Sequence, residues 1–312
     1  MLQADRALKL NREARLNYEQ QYLNLIDNIL TKGDYVEDRT NTGTYSQFGG
    51  SIKLNLADGF PILTTKKINP VLPFGELLWM LAGKTDLKTL RKYQNKGEGS
   101  NTIWSADFEK YAVKPWVIKE EGGNIYGKQI REYGSVTDDQ SFKHDQLTTL
   151  IDNIKAVKED SNYPMARRLI CSWWNPYDHT VGDKVTCALP ACHTDFQCLV
   201  REGKLSLRFS MRSSDCFLGL PFNFSFYGLL CHVLAKLTGL EVGELLYFGT
   251  DVHIYSNHID QVKEQLSREI KTSPELVLPE FNTLEELLNL TGEDFKLVGY
   301  NPHPFIKAPQ AS

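Results

Sequence analysis

No Cys-x-x-Cys pair occurs in these 312 residues, although six cysteines (Cys171, Cys187, Cys192, Cys198, Cys216 and Cys231) crowd the middle of the chain. That spacing argues against a zinc site and predicts a protein without a metal. A chain this long buries a core without covalent staples, so the cysteines are expected to be reduced, most of them small buried hydrophobes. A basic excess is missing too. Thirty-five Lys and Arg stand against 39 Asp and Glu, a net charge of −4, which leaves no basic face for a nucleic acid. No apolar run approaches the ~18–20 residues of a membrane span. The first residues, MLQADRALKLNREARLNYEQ, are polar and partly acidic and hold no apolar signal core, so a cytoplasmic protein is expected. No internal repeat and no linker divides the chain. Residues 1–17 read as an N-terminal extension and 18–312 as one catalytic domain.

Periodicity places the elements. Tyr18, Tyr22, Leu25, Ile26, Ile29 and Leu30 recur at helical spacing and Gly33 stops them. Tyr45 to Leu56 reads as a strand ending in the Asp58-Gly59 turn. Residues 75–83 (GELLWMLAG) form an apolar helix with one carboxylate, Glu76. It is either a solvent-facing residue of the first turn or a partnered carboxyl of raised pKa suited to proton transfer. Residues 94–124 are Gly- and Lys-rich and read as a surface excursion, in which Trp104 and Trp116 are either core or a platform for a flat ligand. Leu147, Leu150, Ile151 and Ile154 mark another helix, and Leu169 to Trp174 a strand. Residues 195–201 and 205–212 pair around Glu202-Gly203, with Leu205, Leu207, Phe209 and Met211 alternating against polar neighbours. Phe224, Tyr227, Leu230, Leu234 and Leu237 give a helix ending at Gly239. Val252 to Tyr255 reads as a short strand with His253 and Tyr255 on one face. The tail from Gly299 holds three prolines and is expected to be an extended strap over a site.

The chemistry gathers in residues 188–223, ALPACHTDFQCLVREGKLSLRFSMRSSDCFLGLPFN. Cys192-His193 supplies a nucleophile, Arg212-Ser213 an anion site, and Asn223 an amide at the mouth of a helix. Together they suggest covalent chemistry on a small phosphorylated ligand. Arg39, in the loop Asp38 to Thr44, is either part of a plain turn or the cation of a phosphate loop. Arg167-Arg168 before a strand are either two solvated charges or an anion clamp.

The chain resembles the thymidylate synthase family, which also contains deoxypyrimidine-monophosphate hydroxymethylases. The resemblance rests on DRTNTGT (38–44), DGFPILTTKK (58–67), GELLWMLAG (75–83), IYGKQ (125–129), ARRLICSWWNP (166–176), ALPACH (188–193), RSSDCFLGLPFN (212–223), DVHIYSNHIDQV (251–262) and YNPHPFIKAP (300–309). It implies an α+β subunit with a mixed β-sheet and surrounding helices, paired back to back in a homodimer. It implies dUMP as substrate and 5,10-methylenetetrahydrofolate as cosubstrate. Arg39, Arg212 and Ser213 would hold the phosphate, with Arg167 and Arg168 lent by the other subunit. His253 and Tyr255 would hold the sugar hydroxyl. Cys192 would add to C6 of the pyrimidine, while Glu76, Tyr126 and His193 organise proton transfer. Asp215, Trp104, Leu218, Gly219 and Phe222 would line the folate side. Asn223, with one donor and one acceptor face, matches N3–H and O4 of uracil; relatives that take cytosine carry Asp at this place.

Several positions depart from the synthase pattern. Ile130 replaces the Trp of YGKQW, Met211 the Gln of QRS, and Asp107 the second Trp of W-x-x-W; Asn69 stands for the usual His and Ser312 ends the chain. The first three resemble hydroxymethylases. The sequence therefore predicts hydroxymethylation of dUMP, supplying 5-hydroxymethyl-dUMP for modified phage DNA. Reductive methylation to thymidylate is the alternative, and an inactive nucleotide- or RNA-binding paralogue the third reading.

Overall fold

The computed structural model describes residues 17–37, 42–113, 118–134, 143–179 and 186–309. Helix α1 (Tyr18–Lys32) opens with Asn17, whose Oδ1 accepts from the Gln20 amide at 2.7 Å, and buries Tyr18, Glu19, Tyr22, Leu23, Ile26 and Ile29. Strands β1 (Asp34–Val36) and β2 (Thr44–Asn55) follow, then helix α2 (Val71–Leu81), which is apolar on nearly every side. Helices α3 (Leu87–Tyr93), α4 (Ser105–Tyr111), α5 (Tyr126–Glu132) and α6 (Gln146–Glu159) precede strand β3 (Ile170–Ser172). Strands β4 (His193–Arg201) and β5 (Lys204–Asp215) form a hairpin. Its turn residues, Glu202 and Gly203, both have positive φ (50° and 71°), as a two-residue hairpin of matching twist requires. Helix α7 (Gly219–Thr238) ends at Gly239 in the left-handed conformation and leads into β6 (Glu241–Tyr255). Helix α8 (Ile259–Leu266) and a small sheet of β7 (Glu275–Val277) and β8 (Lys296–Val298) complete the structure, with helix α9 (Leu284–Leu288) between the two small strands.

The main sheet runs β1-β2-β6-β5-β4-β3. Its pairs are antiparallel except β5 with β6, which are parallel and joined by α7. This is the expected mixed sheet with surrounding helices. Leu205, Leu207, Phe209 and Met211 of β5 are all buried, and α7 lies over them: Phe209 stacks on Tyr227 with ring centroids 4.0 Å apart. Burying side chains of this size contributes about 1.5–3 kcal/mol each. Elsewhere in the sheet, Ile170 and Phe248 keep 50% and 46% of their surfaces exposed.

Two sequence expectations change. Residues 94–124 are not wholly a surface excursion, because α4 lies within them and Trp104, Phe108 and Tyr111 are buried against the rest of the core. The strand expected at Val252–Tyr255 is the end of the 15-residue β6. Two inward positions of that strand are Gly243 and Gly249, so its apolar alternation is broken. The N-terminal extension up to residue 16 and Trp116 lie outside the described residues.

Helix α5 sits hard against the chain after α2. A Cβ on Gly127 would lie 2.1 Å from the Lys84 carbonyl oxygen, and backbone cannot yield as a flexible side chain does. Gly127→Ala is therefore expected to destabilise the protein by about 1–3 kcal/mol, read as a lower urea midpoint at unchanged slope.

Candidate active site

Cys192 lies at the start of β4, where His193 pairs with Met211 of β5 and the Arg212 amide donates to the Cys192 carbonyl at 2.9 Å. All six cysteines are free thiols, and five are buried; Cys192 is half-buried. Burial pushes the thiols of Cys171, Cys198, Cys216 and Cys231 well up, which leaves them inert as nucleophiles. The Arg212 guanidinium is fixed by the carbonyls of Ala191 (Nε, 2.7 Å) and Pro190 (Nη2, 3.2 Å), and its Nη2 stands 3.9 Å from the Cys192 sulfur. A held cation thus faces the sulfur, a placement that favours a thiolate over a thiol. Its guanidinium also lies 5.6 Å from the Trp174 ring centre.

Behind the sulfur, the Tyr126 hydroxyl accepts from the Cys192 amide at 2.8 Å. Desolvation holds the Tyr126 phenol well above its usual pKa. His193 Nδ1 lies 2.9 Å from the Tyr227 hydroxyl, which also accepts from Trp173 Nε1 at 3.0 Å. Asn223 Nδ2 lies 3.2 Å from His193 Nε2 and 3.3 Å from the Met211 sulfur. This network fits an imidazole with its proton on Nδ1 and an amide whose nitrogen faces His193 and Met211. Burial lowers the His193 pKa to about 3, so the ring is neutral and serves as a fixed polar group.

Glu76 sits in the middle of α2, not in its first turn. Its Oε1 accepts from Trp104 Nε1 at 2.9 Å. Desolvation raises its pKa to about 7, against the opposing pull of the Trp104 hydrogen bond. Trp104 is 6% exposed and packed among Trp79, Phe108 and Tyr126. Expected on the folate side, it is mostly buried, and its indole nitrogen donates to Glu76.

The parallel strands bring the remaining groups to one end of the sheet. Ser213 and Asp215 of β5 lie level with Asp251 and His253 of β6. His253 is buried, 3.3 Å from Asp251 Oδ2, and Asp251 Oδ1 accepts from Ser46 at 2.6 Å. Tyr255 packs edge-on against His253. Asp215 Oδ1 accepts from the amides of Phe217 (2.9 Å) and Leu218 (3.1 Å), which fixes the turn into α7. Leu218, Gly219 and Phe222 are half-buried at that turn. A carboxylate beside a half-buried apolar rim suits a flat polar heterocycle such as a pterin.

Lys66 escaped the sequence reading. It is 4% exposed, its ammonium donates to the Phe217 carbonyl and sits 3.5 Å from the Phe217 ring centre, and burial lowers its pKa to about 7 despite the nearby Asp215. Its only sequence signal is the TTKK run. Arg39 lies outside the described residues. Arg167 and Arg168 are exposed beyond the start of β3, and the neighbouring Leu169 carbonyl accepts from the Cys198 amide. Being antiparallel to β4, they stand at the far end of that strand, roughly 20 Å from Cys192 at ~3.3 Å per residue.

Comparison with known proteins decides the family. The thymidylate synthase family model matches residues 20–312. The chain belongs to the thymidylate synthase family. It is 42% identical over 297 residues to a probable thymidylate synthase of Escherichia phage T5, covering 94% of this chain and all of that protein. It is 38% identical to the thymidylate synthase of Staphylococcus haemolyticus, covering 95% of this chain and 99% of that protein. Membership makes it a one-carbon transferase of a family whose cosubstrate is methylenetetrahydrofolate. No described helix is long and apolar enough to cross a membrane, and among the described residues no His, Cys, Asp and Glu cluster is placed to hold a metal.

In this thymidylate synthase-family site, Glu76 has the pKa of a proton carrier at neutral pH. Raised from an ordinary value of 4.5 to about 7, it keeps in the native state a proton that the unfolded chain has lost. Stability should therefore fall as pH rises between those values and level off above them. Glu76→Gln, which keeps the Trp104 bond, should abolish that slope in urea midpoints measured across the window. It should also lower kcat by about 10²–10⁴-fold through loss of the proton carrier.

Proposed function

We propose that the protein is a thymidylate synthase that converts dUMP to thymidylate. The Cys192 thiolate adds to C6 of the pyrimidine, C5 becomes the nucleophile that takes up the one-carbon unit, and C5 then gives up its proton and the thiolate leaves C6, which restores the C5–C6 double bond. Bound methylenetetrahydrofolate supplies that unit and the hydride that reduces it. Arg212 steadies the thiolate and, with Ser213, the phosphate. Glu76 moves protons through water held near Tyr126 and His193. His253 and Tyr255 face the sugar. The carbonyl of Asn223, whose nitrogen is turned to His193, accepts from uracil N3–H; cytosine N3 has no proton to give, and an unpaired polar group in such a pocket is strongly selected against. Cys192→Ala would separate this reading from an inactive nucleotide- or RNA-binding relative, which needs no thiol.

The seating of the tail carries the choice of hydride over water. The His303 amide donates to the Thr64 carbonyl at 2.7 Å, Tyr300 Oη donates to the Leu63 carbonyl at 2.9 Å, and His258 Nε2 meets the Pro309 carbonyl at 2.7 Å. The strap thus lies along the loop that carries Lys66, next to the Asp215 turn, where it would exclude water from the folate side. Two departures from the synthase pattern also have packing roles. Ile130 is fully buried in the core, and Asn69 accepts from the Val71 amide at the start of α2.

Hydroxymethylation is the second reading, favoured by Met211. Its thioether contacts Asn223 where synthases place an amide, and sulfur is a poor hydrogen-bonding partner for that group. Incubation with dUMP and methylenetetrahydrofolate distinguishes the two. Thymidylate with one dihydrofolate per turnover is expected. A nucleotide one oxygen heavier by mass, with no dihydrofolate, would replace this reading with the hydroxymethylase.

The same proposal includes a back-to-back homodimer. Arg167 and Arg168 cannot reach the Cys192 of their own chain, so they would serve the phosphate site of the other. Cys192→Ala and Arg167→Ala/Arg168→Ala chains should each be inactive. Mixed and re-paired, they should recover about a quarter of wild-type activity, because half of randomly formed dimers hold one complete site. No recovery would mean that the arginines act elsewhere.

A further inference from the structure

One buried carboxylate has no part in the chemistry above. Glu19, in the first turn of α1, is 2% exposed. Its oxygens accept from the Thr64 amide at 2.9 Å, the Thr65 amide at 2.6 Å and the Thr64 hydroxyl at 2.6 Å. A carboxylate at this depth is costly unless its lone pairs are filled, and here backbone donors fill them. One turn later on the same helix, Tyr22 donates to the Cys216 carbonyl at 2.9 Å.

These two side chains hold two separate segments. Thr64-Thr65 leads directly into Lys66, and Cys216 lies inside the Asp215–Gly219 turn. Lys66 then ties the segments together through the Phe217 carbonyl. The strap rests on the same bed: His303 binds the Thr64 carbonyl, and Arg268 Nη1 donates to the carbonyls of Thr65 and Pro304, both at 2.7 Å. Gln265 reaches the Thr65 hydroxyl at 2.9 Å.

We propose that Glu19 is a positioning residue for the folate half of the reaction, setting the Thr64–Lys66 backbone on which the strap closes. It acts on the second substrate and not on dUMP, because none of its partners belongs to the Cys192–Arg212–Asn223 group. This rests on the reading of the Asp215 side as the folate side.

The test is Glu19→Gln, which keeps the shape but replaces an acceptor oxygen by a donor nitrogen against an amide N–H. The dissociation constant of tetrahydrofolate from the dUMP-saturated protein, and KM for methylenetetrahydrofolate, should rise about tenfold or more, the scale of a lost charge-assisted bond. The dUMP dissociation constant should stay within about twofold. Cleavage after Lys307 by trypsin, followed by mass, should become faster as the strap loosens. Thr64→Ala, which removes one donor to the same carboxylate, should shift folate binding in the same direction and serves should Glu19→Gln fail to fold. Unchanged folate binding, or equal weakening of both substrates with a lowered melting temperature, would overturn the proposal and leave Glu19 a general stabiliser. The strap readout needs no substrate. Faster cleavage in Glu19→Gln supports the part of the inference by which Glu19 sets the bed of the strap, and no tetrahydrofolate binding by the parent protein would overturn the folate reading and leave only that part.

Discussion

The parallel pairing of β5 with β6 is the constraint on which the site depends. Two parallel neighbours need a crossover, and here the 20-residue α7 provides it. Both strands then end on the same side of the sheet. Arg212, Ser213 and Asp215 arrive at that side on β5, His253 and Tyr255 on β6. Because α7 must begin where β5 ends, Asn223 in its early turns arrives there too. Strand β4 is antiparallel to β5, so its beginning, with Cys192 and His193, is brought to the same side. No loop has to fold back to gather these groups.

Much of this was legible before the structure. The hairpin is written in the alternation of Leu205 to Met211 and in Glu202-Gly203, whose positive φ angles are local necessities. Helices α1 and α7 are written in their apolar spacing and in the glycines that end them. What was not legible depends on distant contacts. Whether Trp104 is core or a ligand platform is decided by Trp79, Phe108 and Tyr126, which come from other segments or the next turn. Half-buried strands announce themselves by period-two alternation, and in β6 two inward glycines remove that signal.

The site divides the same way. Residue types alone singled out Cys192, Arg212 and Asn223, because a thiol beside a cation and an amide at a helix mouth have few other uses together. Glu19 and Lys66 gave no such signal. A Glu in the first helical turn reads as a favourable charge near the helix dipole, and a Lys in TTKK reads as surface. Both are buried only because α1, the Thr64–Lys66 loop and the Asp215 turn converge.

Burial also sets the protonation of two groups in the site. His193 and Glu76 are both desolvated, and desolvation drives both toward neutrality. For His193 that means loss of a proton down to about pH 3, so it cannot cycle at neutral pH and is left to orient Asn223 and Tyr227. For Glu76 it means retention of a proton up to about pH 7, where gain and loss are nearly balanced. One physical cause, acting on an acid and on a base, therefore leaves Glu76 able to titrate near neutral pH and His193 uncharged there. The Trp104 bond tempers the shift: by donating to Oε1 it favours the ionised carboxylate against the pull of desolvation.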